Sequence, residues 1–190
     1  MVNGRNPKGS KKGEKSINEP FAIVPRSALF SQAFEALSKT ERALLFEFMA
    51  QYTGKNNGRL LCSVKKLKSR GYTSSDTLYR AKKVLLEAGF IFETVKGHRP
   101  NWASWYALTW RPLDPDDRYD PDVIDTFRET GYRAYMKASA DAIIITRELL
   151  RQKKNANPTE GQEEIDTAPS SGFIAQYLVP SRGTVERKIH

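Results

Sequence analysis

Ser63-Val64-Lys65-Lys66-Leu67-Lys68-Ser69-Arg70-Gly71-Tyr72-Thr73-Ser74-Ser75-Asp76-Thr77-Leu78-Tyr79-Arg80-Ala81-Lys82-Lys83-Val84-Leu85-Leu86-Glu87-Ala88-Gly89 is the stretch on which the fold turns. Ser63 is a hydroxyl cap for a helix running to about Arg70, with Val64 and Leu67 turned inward. Gly71 makes the turn. Thr73 or Ser74 caps a second helix that buries Leu78, Ala81, Leu85 and Ala88, and Gly89 stops it. One helix then braces the other, which is presented as a probe.

Downstream, Phe90-Ile91-Phe92-Glu93-Thr94-Val95 and Ser104-Trp105-Tyr106-Ala107-Leu108-Thr109-Trp110 have the β-branched and aromatic composition of strands. Lys96-Gly97-His98-Arg99-Pro100-Asn101 carries turn residues and charge, and reads as the tip of a hairpin. Upstream, Ser38-Lys39-Thr40-Glu41 matches a capping box and opens a helix to Tyr52, striped by Leu44, Leu45, Phe48 and Tyr52 and widened by Phe46 and Met49. Gly54-Lys55-Asn56-Asn57-Gly58 is a turn, after which Leu60-Leu61-Cys62 can pair as a short strand. Leu29, Phe30, Ala33, Phe34 and Leu37 recur at helical spacing from Ser27, and Phe21-Ala22-Ile23-Val24 reads as a strand or an anchor on the core. The expected class is α+β: a winged helix-turn-helix with a three-helix core and a β-hairpin wing, a C-terminal helical extension and disordered termini.

Four segments follow from composition: a disordered basic arm (1–20), the winged-helix domain (21–111), a linker with helical extension (112–152) and a largely disordered tail (153–190). Pro112–Pro121 is rich in Pro and Asp. Asp120-Pro121 opens a helix to Thr130, with Asp as cap and Pro first, and Gly131 breaks it. Ala134 to about Gln152 is amphipathic through Met136, Ala140, Ile143, Ile144 and Leu150. It needs a partner surface, either its own core or a second copy in a homodimer. Phe173–Val179 is an apolar patch in the polar tail.

The formal net charge is +9 over 190 residues. Residues 21–110 hold fourteen Lys/Arg against six acids, and residues 111–190 hold twelve against fourteen. Between Ser63 and Lys83 seven basic residues face one acid, Asp76. A field of that sign suits a phosphate backbone. The single cysteine, Cys62, excludes an internal disulfide and Cys-rich zinc sites. Two histidines far apart give no metal-ligand spacing, and no apolar run reaches the ~20 residues of a bilayer span. The expected setting is cytoplasmic, with no cofactor and no membrane partner.

Leu37-Ser38, Tyr52 with the turn Gly54–Gly58, Thr77-Leu78-Tyr79-Arg80-Ala81, Gly89-Phe90-Ile91 and Ser104–Trp110 together resemble winged-helix proteins of plasmids, phages and integrated elements of proteobacteria. Thr53 stands where their turn has Asn. The resemblance covers less than half of the chain and implies a DNA-binding regulator or replication-associated factor.

With Leu78, Ala81 and Leu85 inward, Ser75, Tyr79 and Arg80 are the candidates for reading bases, Arg80 by its bidentate fork. Lys65, Lys66, Lys68, Lys82 and Lys83 are expected on phosphates, with Lys96 and Arg99 in the wing. Arg5, Lys8, Lys11, Lys12 and Lys15 of the arm would track the backbone. Asp76 reads as a helix-dipole partner, and Tyr79 divides between packing and stacking. Trp102, Trp105 and Trp110 read as packing, His98 as a solvated turn residue, Cys62 as a small buried hydrophobe. Asp114, Asp116, Asp117 and Asp120 read as a solvated linker rather than a calcium loop.

The leading expectation is a sequence-specific double-stranded DNA-binding protein, a transcriptional regulator reading DNA with helix 75–88 and wing 96–101. A replication or partition factor is the alternative; another is an adaptor recruiting a protein through residues 173–179. No nucleophile with a neighbouring base and no phosphate-binding glycine loop is visible, so no catalytic residues are assigned.

Overall fold

The computed structural model describes residues 21–98 and 102–156. Its elements, in chain order, are α1 (Arg26–Leu29), α2 (Gln32–Ala36), α3 (Lys39–Gln51), β1 (Leu60–Leu61), α4 (Val64–Leu67), α5 (Ser75–Glu87), β2 (Ile91–Val95), β3 (Trp105–Leu108), α6 (Val123–Thr126) and α7 (Ala140–Ala156). The class is α+β. The three strands form one antiparallel sheet in the order β1-β3-β2, pairing Leu60 with Tyr106 and Ile91 with Leu108.

The caps fall where their hydroxyls require. Ser38 and Glu41 complete the capping box: Ser38 N–H donates to Glu41 Oε2 at 2.7 Å, and Glu41 N–H to Ser38 Oγ at 3.5 Å. Ser63 caps α4 and Ser74, rather than Thr73, caps α5. Gly71 turns the chain between them at φ 92°, a left-handed conformation cheap only for glycine. Leu78, Ala81, Leu85 and Ala88 are all buried, and so is Val84.

Phe90 is the hub of the core. It stacks on Tyr135 at 5.4 Å and meets Phe34 and Trp110 edge-on. Gly89 explains how Tyr135 arrives there. A Cβ at Gly89 would lie 2.6 Å from backbone atoms of Ala134 and Tyr135, and the Gly89 carbonyl accepts from Tyr135 N–H at 3.1 Å. The glycine that stops α5 therefore also seats the turn Ala134–Met136. Tyr135 and Ile143 belong to the same core as Leu44 and Phe48, so packing draws no boundary at residue 112.

Several expectations are corrected. The helical spacing from Ser27 to Leu37 is two short helices, because Ser31 Oγ accepts from Phe34 N–H and starts a new one; Phe30 is left 71 % exposed. Phe46 also faces solvent rather than the core. Phe21–Val24 forms no strand; its Ile23 carbonyl accepts from Trp110 Nε1, so it is an anchor. Asp120 does not cap a helix, since its backbone N–H bonds Thr94 O and its carboxylate accepts Lys96 N–H at 2.8 Å. Asp122, at φ 62° and without a side-chain cap bond, precedes α6 instead.

The stretch 112–121 is a strap rather than a solvated linker. Asn57, fully buried, donates through Nδ2 to the carbonyls of Leu108, Arg111 and Pro112 and accepts Leu108 N–H at 2.7 Å. That pattern fixes which amide atom is oxygen. Asp114 accepts Asn57 N–H, and Tyr119 Oη bonds the Asn57 carbonyl. Asp116 pairs with Arg118 and Arg59, and Arg118 lies over the Trp105 ring at 4.6 Å.

Candidate functional site

Helix α5 is flanked on both sides. Thr77, Arg80 and Val84 face α7, where Arg147 and Leu150 approach; Ser75, Leu78, Tyr79 and Lys82 face the β2–β3 hairpin at Ala103, Ser104 and Tyr106. The helical period then leaves Asp76, Lys83 and Glu87 as the outward strip, with Tyr79 and Arg80 at its two edges, all of them half-buried.

Ser75, Tyr79 and Arg80 lie on or beside this strip and are half-buried. Arg80 is engaged. Its Nη2 is 2.9 Å from Asp76 Oδ2, which also lies 3.1 Å from Lys154 Nζ of α7. These are close ion pairs with poor hydrogen-bond angles, so Asp76 Oδ2 and Arg80 Nε both lack an aligned partner. Burial alone would raise the Asp76 carboxyl, but Lys154 and Arg80 outweigh it and hold the group below the usual carboxylate range. Asp76 is thus an ion-pair centre between two helices, beyond the dipole role assigned from sequence.

Lys82 is not on the surface. It is 7 % exposed, with its ammonium 5.5 Å from the Tyr106 ring centroid and 5.8 Å from that of Tyr79. It cannot reach a phosphate backbone from there, and the expectation is corrected. The cause is its register: one position beyond Ala81, it points under the hairpin. Tyr79 is bracketed by Lys82 and Lys83, whose ammonium groups each stand 5.8 Å from its ring.

Lys83 gathers the positive field. Burial lowers its pKa, and the ammonium groups of Lys82, Lys96 and Lys153 push the same way, with Glu93 opposing. Cations from α5, the end of β2 and the end of α7 thus all act on Lys83. Lys65, Lys66 and Lys68 are exposed on α4 and the turn after it. Lys96 is exposed at the hairpin, where His98 stacks on Trp102 at 5.1 Å. Trp102 is itself exposed, so its packing is within the hairpin, on His98, and not in the core, whereas Trp110 is buried. Arg99, the arm residues Arg5, Lys8, Lys11, Lys12 and Lys15, and the patch 173–179 lie outside the described residues.

Sequence reasoning foresaw the C-terminal helix but not the last turn of α7. The helix was expected to end near Gln152, yet it continues to Ala156 and carries Lys153 and Lys154 beside α5. Their position in a last turn, where cations suit the helix dipole, was the available signal. Arg147 anchors this helix. It donates from Nε and Nη2 to both carboxylate oxygens of Glu41, at 2.9 and 2.6 Å, and from Nη2 to Ala36 O. The Glu41 hydrogen bonds raise its pKa further.

Among the described residues, no group of three His, Cys, Asp or Glu side chains converges to hold a metal ion, and no helix is long and apolar enough to cross a membrane. Compared with models of protein families, with curated proteins and with solved structures, the chain matches none.

Proposed function

We propose that residues 21–111 form a winged helix-turn-helix that binds double-stranded DNA, with α5 as the probe and the β2–β3 hairpin as the wing, and that the protein regulates transcription. The observation that carries this reading is the exposure of Lys65, Lys66, Lys68 and Lys96 on the elements that flank the outward strip of α5. Element order and the β1-β3-β2 sheet support the winged arrangement. Tyr79 and Ser75 keep their place as base-facing candidates. Arg80 reaches a base only by giving up Asp76, so it serves selection more than affinity. Lys65, Lys66, Lys68, Lys83 and Lys96 supply phosphate contacts. Arg99 and the arm extend them.

Fluorescence anisotropy of the full chain against a duplex of about 25 base pairs, at several salt concentrations, tests this. Affinity should fall linearly with log salt, and Lys83→Ala and Lys96→Ala should each flatten the slope by about 1. No binding at low salt would overturn the proposal. Selection from a random pool then reports the site. Protection of an origin rather than a promoter would favour the replication or partition reading.

The same reading includes a second copy. Ile144, Ile145 and Leu149 are exposed along α7. Sedimentation should show a dimer that Leu149→Glu dissociates; a monomeric parent chain would remove this part alone.

A further inference from the structure

Lys82, a little-exposed residue, borders a half-open cavity of about 160 Å³ between the start of α4, the inner side of α5 and the base of the hairpin. Among the described residues Lys82 has no carboxylate within ion-pairing distance, and its contacts are two tyrosine faces. Those faces attract the ammonium but carry no full negative charge, so an anion entering the hollow would find in Lys82 a cation not already neutralised by a carboxylate. Among the described residues of the lining, Lys82 is the one that carries a charge. Cys62 does not neutralise it: burial pushes that thiol up to about 11, despite the opposing influence of Lys82. Tyr106 stays neutral too, held well above the phenol range by burial, with its hydroxyl turned to Glu93 at 3.1 Å.

The rest of the wall is divided. Val64, Leu78 and Ala103 are apolar, whereas Ser63 and Ser75 bring hydroxyls. Ser63 Oγ already accepts Lys66 N–H, which leaves its own hydrogen to donate. A cavity of about 150 Å³ takes a single benzene ring. One cation, one or two hydroxyl donors and an apolar wall of that size fit a singly charged organic acid better than a multiply charged, fully hydrated anion.

We infer that this cavity is a binding site for a small organic carboxylate, its carboxyl group on Lys82 and its ring or short chain against Val64, Leu78 and Ala103. The site stands whether or not the protein binds DNA. Its occupant also touches Ser75 and Tyr79, the residues proposed to face bases.

Calorimetric titration of the full chain with benzoate tests the assignment. Saturable one-to-one binding at about a millimolar or tighter is expected, at least about tenfold stronger than for neutral benzamide. Lys82→Met, which keeps the stem and removes the charge, should weaken benzoate at least about tenfold without lowering the thermal midpoint. Ala103→Trp, which fills the cavity from an exposed position, should abolish binding while leaving the core intact. Inorganic phosphate should not bind saturably. Absence of saturable benzoate binding overturns the inference, as does Lys82→Met binding benzoate like the parent. Phosphate binding as tightly as benzoate overturns the carboxylate class.

Discussion

The α4–α5 pair and the segment from Pro112 to Ala156 are built on opposite principles. In the first, each decision is taken within a few residues: Ser63 and Ser74 cap, Gly71 turns, Gly89 stops. In the second, the deciding contacts join residues far apart in sequence. Arg147 reaches Glu41 across 106 positions, and Asp114 reaches Asn57 across 57. Short-range chemistry fixes what each helix is; long-range ties fix what lies against it. The proposed DNA-facing strip depends on both, since Asp76 and Lys83 belong to α5 but Lys153 and Lys154 arrive with α7.

The largest breaks should come at Asn57 and Arg147. Asn57→Ala strands the buried Leu108 N–H, takes the amide donor from the part-buried Arg111 and Pro112 carbonyls while Leu108 O keeps the Arg111 N–H, and frees the strap. A loss of about 3 kcal/mol in urea unfolding is expected, from about 1–3 kcal/mol per buried group left unpaired. A loss under about 1 kcal/mol would mean water or rearrangement replaces the amide. Arg147→Ala is its equal, uncoupling α7 by leaving buried Glu41 without its cation. About 3 kcal/mol should be lost. Arg147→Lys should recover only part, because an ammonium does not reproduce the bidentate fork. If Lys restores parental stability, the fork is irrelevant to docking.

Ser74→Ala should cost about 1 kcal/mol, the ordinary value of an N-cap, and should leave α7 docked. Helix-specific hydrogen exchange distinguishes that local loss from the global one at Arg147. The smallest effect is electrostatic. Arg118 hydrogen bonds hold the Asp116 carboxyl down to about 2, from 3.8, against the opposing effect of burial, with Arg59 assisting. A depressed acid contributes stability that is present above its unfolded value and lost as pH falls through the folded one. Between about pH 4 and pH 2 the parent should therefore lose stability that Asp116→Asn does not. Parallel acid profiles for the two chains would contradict this.

The legibility of the sequence follows the same division. The caps, the buried face Leu78-Ala81-Leu85-Ala88 and the two hairpin strands were readable because periodicity and capping act locally. Lys82 was misassigned for a related reason. Spacing places it beside Lys83, but only the position of the hairpin tells that one of the two is roofed by Tyr106. The strap was read as solvated because Asp-rich segments usually are, and nothing near Asp114 or Asp120 reveals that their partners are Asn57 and Lys96. The pairing of Arg80 with Asp76, four residues before it, was legible from spacing, whereas the second cation on that acid, Lys154 of α7, was not.

Glu41 is one carboxylate with two employments: it closes the first turn of α3 and it receives Arg147. Detaching α7 therefore also perturbs the start of the central helix. In hydrogen-exchange terms, the amides of Ser38 and Glu41 should open with the same free energy as the middle of α7, as a single cooperative unit and not as an independently fraying end. A distant helix thus sets the exchange clock of residues it follows by a hundred positions.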